Sequence, residues 1–151
     1  MMNHMIYMIE EALKDFIQVA KLAHRQLDYN DFEIEYLMAP HKRPTALPPG
    51  KIAIYGFYYK EEWLKIGMVG PKSQARFTSQ HYNPYSSRSN LAKSLMKDPE
   101  MSLAIGNNPR EWIETNCDRI NIFLSDDKGL DLLALLESFL HVRLRPRYEK
   151  Q

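Results

Sequence analysis

The sequence predicts an α+β fold: a small three-stranded antiparallel sheet with flanking helices, preceded by an N-terminal helix. Three observations carry this reading. Lys51–Tyr59 and Trp63–Val69 are rich in β-branched and aromatic residues and flank the short polar stretch Lys60-Glu61-Glu62, the pattern of a hairpin. Arg119–Leu124 alternates like a third strand. Around these segments, apolar residues recur at three- and four-residue steps, the spacing of a helix face. With 151 residues, 44% of them hydrophobic and 26% charged, the chain can bury a real core and is too apolar for a disordered one.

Met5, Ile9, Leu13, Phe16, Ile17, Ala20, Ala23 and Leu27 form one helical stripe, and Asp28-Tyr29-Asn30-Asp31 reads as its end. Pro40, Pro44, Pro48 and Pro49 then mark a linker over Ala39–Gly50, since each proline fixes φ and withholds a donor. The organisation expected is an N-terminal amphipathic helix and extension over residues 1–40, then a compact domain over 41–151. After the hairpin, Gly70-Pro71 breaks the second strand and Ser73 caps a helix running to about Gln80. His81–Ser87 is a loop, Ser89–Met96 a second short helix, and the stretch around Pro109–Thr115 a further one. Gly129–Leu144, leucine-rich at helical spacing and ended by Pro146, is the last helix.

No apolar run approaches the ~18 residues of a membrane span, so no membrane partner is expected. Glu10 and Glu11 interrupt the N-terminus too early for a secretory signal. Cys117 is the single cysteine, which excludes an internal disulfide and a thiolate zinc cage. An intracellular, cytoplasmic setting is the expectation. The net charge of +1 hides a division: residues 1–40 carry −4, residues 41–100 carry +6 and residues 101–151 carry −1. A local basic excess suits a phosphate-facing surface, and equally suits solvated lysines.

The basic third also holds ordered motifs. Ala53-Ile54-Tyr55 and Lys65-Ile66-Gly67 sit on the hairpin, Arg76 falls nine residues after Gly67, and Leu135-Leu136-Glu137 lies on the last helix, which closes on Arg145-Pro146-Arg147-Tyr148. These residues resemble the GIY-YIG nucleases, named for two tripeptides on an antiparallel hairpin followed by an arginine-bearing helix and, later, a glutamate-bearing helix. The closing segment is similar to the end of that domain in bacterial excision-repair incision nucleases. The resemblance covers residues 51–149. It departs at Ala53, where the family has glycine, and at Lys65, where it has tyrosine; some restriction enzymes of the family are similar in carrying a lysine near this point.

The resemblance implies a metal-dependent endonuclease that hydrolyses DNA phosphodiesters by a one-metal mechanism. Tyr55 is then base or relay for the attacking water. A tyrosine titrates near 10, so that role needs a nearby positive charge, for which Lys65 is the candidate. Arg76 steadies the phosphate through its planar guanidinium. His81 or Tyr82, near the end of the same helix, assists proton transfer or binds phosphate. Glu137 is the metal ligand, for Mg²⁺ or Mn²⁺. By pattern alone Tyr55 reads equally as core, Lys65 as an exposed strand lysine, and Glu137 as a partner of Arg143.

With a turn at 60–62, Tyr59 faces Trp63, Phe57 faces Lys65 and Tyr55 faces Gly67, so Tyr55 and Lys65 share a face and Gly67 leaves room beside the hydroxyl. Glu137 sits beside the stripe Leu132, Leu133, Leu136, Phe139 and Leu140, where a carboxylate needs a partner, and His141 faces the same side. Lys72, Arg88, Lys93, Lys97, Arg143, Arg145 and Arg147 are the candidate DNA contacts. Two further expectations stay open: a catalytically inactive nucleic-acid-binding or protein-interaction module, which Lys65 favours, and a homo-oligomer formed through the N-terminal helix, whose simpler role is to cover the domain.

Overall fold

A computed structural model describes residues 3–85 and 90–149. The architecture is α+β, a mixed-helix sandwich about an antiparallel sheet, and the sheet has four strands rather than three. The additional strand, β1 (Glu33–Leu37), pairs antiparallel with β4 (Asp118–Ser125), which pairs with β2 (Lys51–Tyr59), which pairs with β3 (Glu62–Val69). β1 escapes the sequence pattern because it has five residues, two of them exposed glutamates, and sits at the sheet edge.

α1 (His4–Leu22) begins on Asn3, whose side chain accepts from Met5 N at 2.8 Å. It stops short of Leu27 because His24, at φ +59°, takes the left-handed position that lets Arg25 N reach Ala20 O and His24 N reach Lys21 O. Its stripe Met5, Ile9, Leu13, Phe16 and Ala20 is buried in a core shared with β2, β3, β4 and α6 (Leu130–Leu144). The apolar face offered by sequence for self-association is therefore occupied within the chain.

The opposite sheet face carries a second core of Ala53, Tyr55, Phe57, Leu64, Val69 and Phe123. It is covered by α2 (Gln74–Thr78), α3 (Leu91–Lys97), α4 (Ser102–Ile105) and α5 (Pro109–Asn116). Asn90 and Asn108 cap α3 and α5 with their side chains, accepting from Lys93 N at 2.8 Å and Glu111 N at 3.1 Å. The proline-rich linker is pinned over this layer by Leu47 N donating to Gln74 Oε1 and His41 N donating to Glu114 O. Among the described residues no helix is long and apolar enough to cross a membrane.

The hairpin differs from expectation at its tip and agrees with it at the base. Lys60 and Glu61, at φ +46° and +63°, make the two-residue turn, so Tyr59 faces Glu62 and Tyr58 faces Trp63. Leu64 is then an extra residue, a bulge, after which Phe57 faces Lys65 and Tyr55 faces Gly67 as the alternation predicts. The bulge changes which side chains share a face. Trp63 enters the core under α1 and α6, while Leu64 enters the opposite core beside Phe57 and Lys65 lines a cavity there.

Candidate active site

β3 is an edge strand, and the two helical layers meet beyond it. A cavity of about 260 Å³ opens at that seam, lined by Tyr55, Lys65, Ile66, Gly67, Arg76, His81, Glu137, His141 and Glu149. Residues that lie far apart in sequence converge here because the β2–β3 register brings Tyr55 and Lys65 to one face. α2 and the 3₁₀ turn Gln80–Tyr82 supply Arg76 and His81, and the flank of α6 turns Glu137 and His141 past the sheet edge.

Tyr55 is buried and its oxygen lies 2.6 Å from His81 Nε2. His81 Nδ1 accepts from Leu91 N at 3.1 Å, so the neutral ring carries its hydrogen on Nε2 and donates it to the Tyr55 oxygen. The phenolic hydrogen is thereby free to point into the cavity. Gly67 is required by the ring: a Cβ built there meets Tyr55 Oη and lies 2.6 Å from Cζ. The space beside the hydroxyl expected at Gly67 is filled by the end of the tyrosine itself.

Burial pushes the Tyr55 hydroxyl above its ordinary value, with Glu137 and Glu149 adding to the rise. The charges that oppose this are Arg76 and Arg119, where the sequence pointed to Lys65. Arg119, on β4, is fully buried, with Nε donating to Asn121 Oδ1 at 2.9 Å, Nη1 to Tyr82 Oη at 3.2 Å and Nη2 to Phe77 O at 2.6 Å. It stacks among the rings of Tyr55, Phe57, Phe77 and Tyr82, with its Cζ 5.6 Å from the Tyr55 centroid. Asn121 passes the interaction on to Glu35 Oε1 at 2.8 Å.

Tyr82 faces away from the cavity. Its hydroxyl donates to His41 Nε2 at 2.7 Å, and His41 Nδ1 donates to Cys117 O at 2.8 Å. The choice left open between His81 and Tyr82 thus falls by placement: the imidazole lines the cavity, and the phenol braces Arg119.

Burial favours the neutral form of both imidazoles in the folded protein. Burial pushes His81 well below its ordinary value, helped by Lys65, Arg119 and Arg76, and burial likewise lowers His41. Unfolded, each takes up a proton below about pH 6.5. The unfolded state therefore binds more protons than the folded one in that range, and stability falls as pH drops, by up to ~1.4 kcal/mol per pH unit per histidine. Thermal unfolding is expected to show Tm declining below about pH 6.5, with a shallower slope for His81→Gln. A wild-type Tm without that decline contradicts neutral buried imidazoles.

Glu137 is half-buried, and burial raises its carboxyl above the ordinary range; Glu149 adds to this, while His141, Arg76 and the Met68 backbone N–H oppose it. Lys65 Nζ donates to Tyr148 O at 3.4 Å and lies 3.9 Å from Glu149 Oε1. Glu149 Oε1 also accepts from Ile66 N at 3.0 Å, and His141 Nε2 donates to Ile66 O at 2.8 Å. Among the described residues no three or more His, Cys, Asp or Glu side chains are arranged so that they could together hold a metal ion. Glu137 and Glu149 are the carboxylates of the cavity, and magnesium in general binds through one or two carboxylates while keeping water in its shell.

The expected DNA contacts are scattered in their fates. Lys72, Lys97 and Arg145 are exposed, and Lys93 is partly buried on α3. Arg143 pairs with Asp15 at 2.7 Å, and Arg147 is held by Glu62, Asp98 and Glu100. Arg88 lies outside the described residues. The sequence reading missed Arg119, Asn121 and Glu149 as parts of the site. Arg119 and Asn121 had a usable signal, two polar residues of one parity in an otherwise apolar strand; Glu149 had none. Compared with protein-family models, curated proteins and solved structures, the chain matches none.

Proposed function

We propose that the protein is a metal-dependent endonuclease of GIY-YIG type that hydrolyses DNA phosphodiester bonds. The observation that carries the reading is the convergence of Tyr55, Lys65, Arg76, His81 and Glu137 on one cavity. Hydrolysis needs an oriented water, positive charge for a phosphate gaining charge, and help for the departing ester oxygen.

In this reading Glu137 holds a single Mg²⁺ or Mn²⁺, which supplies Lewis-acid stabilisation of the phosphate when bound. Tyr55 orients the attacking water through the hydroxyl that His81 fixes from behind. To accept that water's proton it must first release its own to solvent through the cavity, since His81 already donates to it. Burial opposes this, and Arg76 and Arg119 are the charges that favour the resulting phenolate. Arg76, exposed at the cavity mouth, grips the scissile phosphate. Lys65 exchanges its contact with Tyr148 O and Glu149 for a phosphate oxygen. Lys72, Lys97 and Arg145 are the exposed cations available to the flanking backbone.

The test is a panel of single- and double-stranded DNA against divalent metals, with products mapped at their ends. Nicking that needs metal is expected, and Tyr55→Phe is expected to slow it ~10²-fold or more without loss of fold. A second reading, a nucleic-acid-binding module without turnover, is favoured by the engagement of Lys65 with the chain's own tail. Metal-independent DNA retention with no cleavage under any divalent ion selects that alternative.

A further inference from the structure

After α6 the chain turns at Arg145, in the left-handed conformation at φ +51°, and runs back along the β3 edge. Arg147 N donates to Trp63 O and Tyr148 N to Leu64 O, both at 2.9 Å. One residue on, Glu149 receives Ile66 N at 3.0 Å. The tail runs along the edge that β3 presents and brings Glu149 to the cavity.

Its side chains fasten it. Arg147 Nε donates to Asp98 Oδ2 at 2.9 Å, Nη1 to Glu62 Oε1 at 3.3 Å and Nη2 to Glu100 Oε2 at 2.9 Å. Tyr148 Oη donates to the same Asp98 oxygen at 2.6 Å. A lone surface ion pair contributes little, but a guanidinium fork shared by three carboxylates is geometrically specific. With its charge met by three carboxylates, Arg147 has little left for a DNA phosphate. What the clasp does hold is cavity chemistry: Lys65 Nζ donates to Tyr148 O, and Glu149 stands 3.9 Å from Lys65 and 3.6 Å from His141.

We propose that Arg147 is a positioning residue: by clasping Glu62, Asp98 and Glu100 it fixes the tail on the β3 edge, and the tail sets Glu149 and Lys65 in the cavity. The effect on turnover rests on the nuclease reading; the placement of the tail does not. Arg147→Met breaks the fork and keeps the stem, Arg147→Lys keeps one charge, and Asp98→Asn loosens the other end should the first variant fold poorly.

The experiment compares these full-length variants by amide hydrogen exchange and by cleavage kinetics. Arg147→Met is expected to speed exchange of the Ile66 and Tyr148 amides ~10-fold or more while the β2–β4 ladder keeps its protection. It is also expected to lower kcat ~10-fold with KM unchanged, and Arg147→Lys to recover part of both. Glu149→Gln is expected to reproduce the loss of kcat, and the Arg147→Met/Glu149→Gln double variant to be no slower than the slower single. Unchanged exchange at Ile66 and Tyr148 overturns the proposal, whatever the kinetics. A rise in KM with a salt slope reduced by about one, at constant kcat, also overturns it and makes Arg147 a phosphate contact. If the wild type cuts no DNA with any metal, the nuclease reading fails and the exchange result still decides the clasp.

Discussion

Glu137→Gln is expected to leave the protein folded and to slow DNA cleavage by ~10³-fold or more. A bound divalent ion contributes several kcal/mol of charge stabilisation to phosphoryl chemistry, and each 1.36 kcal/mol is tenfold in rate. Glutamine keeps the shape of the side chain and its acceptor for the Met68 N–H but loses the anionic oxygens. The half-buried carboxylate is disfavoured in its charged form by burial and by Glu149, so near neutral pH the neutral amide removes a burden from the fold. Tm is therefore expected to be unchanged or slightly higher while turnover collapses. A purely structural glutamate gives the reverse pattern, a lower Tm with cleavage intact. A glutamine variant that cuts at the wild-type rate removes Glu137 from the chemistry.

Gly67→Ala carries the second large effect, and it acts on fold and activity together. The added methyl falls on the end of the Tyr55 ring, at a site enclosed by β2, His81 and Arg119. The flexible end of a surface side chain would move aside, but this ring is buried, stacked and hydrogen-bonded. Either the strands separate locally or Tyr55 leaves its place, breaking the 2.6 Å contact with His81. Overpacking of this kind costs typically ~1–3 kcal/mol. A reacting group displaced by about 1 Å costs ~10²-fold in rate. Chemical denaturation and cleavage of the same preparation measure both losses. DNA retention is expected to survive, because the exposed cations are untouched. An alanine variant with wild-type stability and turnover means that the tyrosine does not lie over this glycine.

What the sequence disclosed follows the range of its signals. β2 was legible at both ends because nine consecutive residues are β-branched, aromatic, small or, at Lys51, the first residue after a glycine turn. The pairing of Tyr55 with Gly67 was legible because a hairpin is local and alternation has period two. β1 was not, since its partner β4 lies more than eighty residues away and the alternation in Glu-Ile-Glu-Tyr-Leu spans only five residues, at the short limit for a strand signal. The end of α1 was misplaced because a histidine, not a glycine, takes the left-handed position. At the site, Tyr55, Lys65, Arg76, His81 and Glu137 were named from the resemblance to GIY-YIG nucleases, where pattern alone would not have singled them out, and one cavity gathers them. The roles of Tyr82 and Arg147 were beyond reach, because a 3₁₀ turn sends adjacent side chains opposite ways and a clasp depends on carboxylates that only folding brings near.

The doubled residue at Leu64 works as a slip joint between two halves of one hairpin. Beyond it, the tip follows the phase set by Lys60-Glu61; below it, the working end follows the phase set by Phe57 and Lys65. Redesign of the tip, such as Asn-Gly in place of Lys60-Glu61, leaves the lower register alone, whereas removal of Leu64 forces the two halves to choose between seating the indole of Trp63 and aiming the ammonium of Lys65.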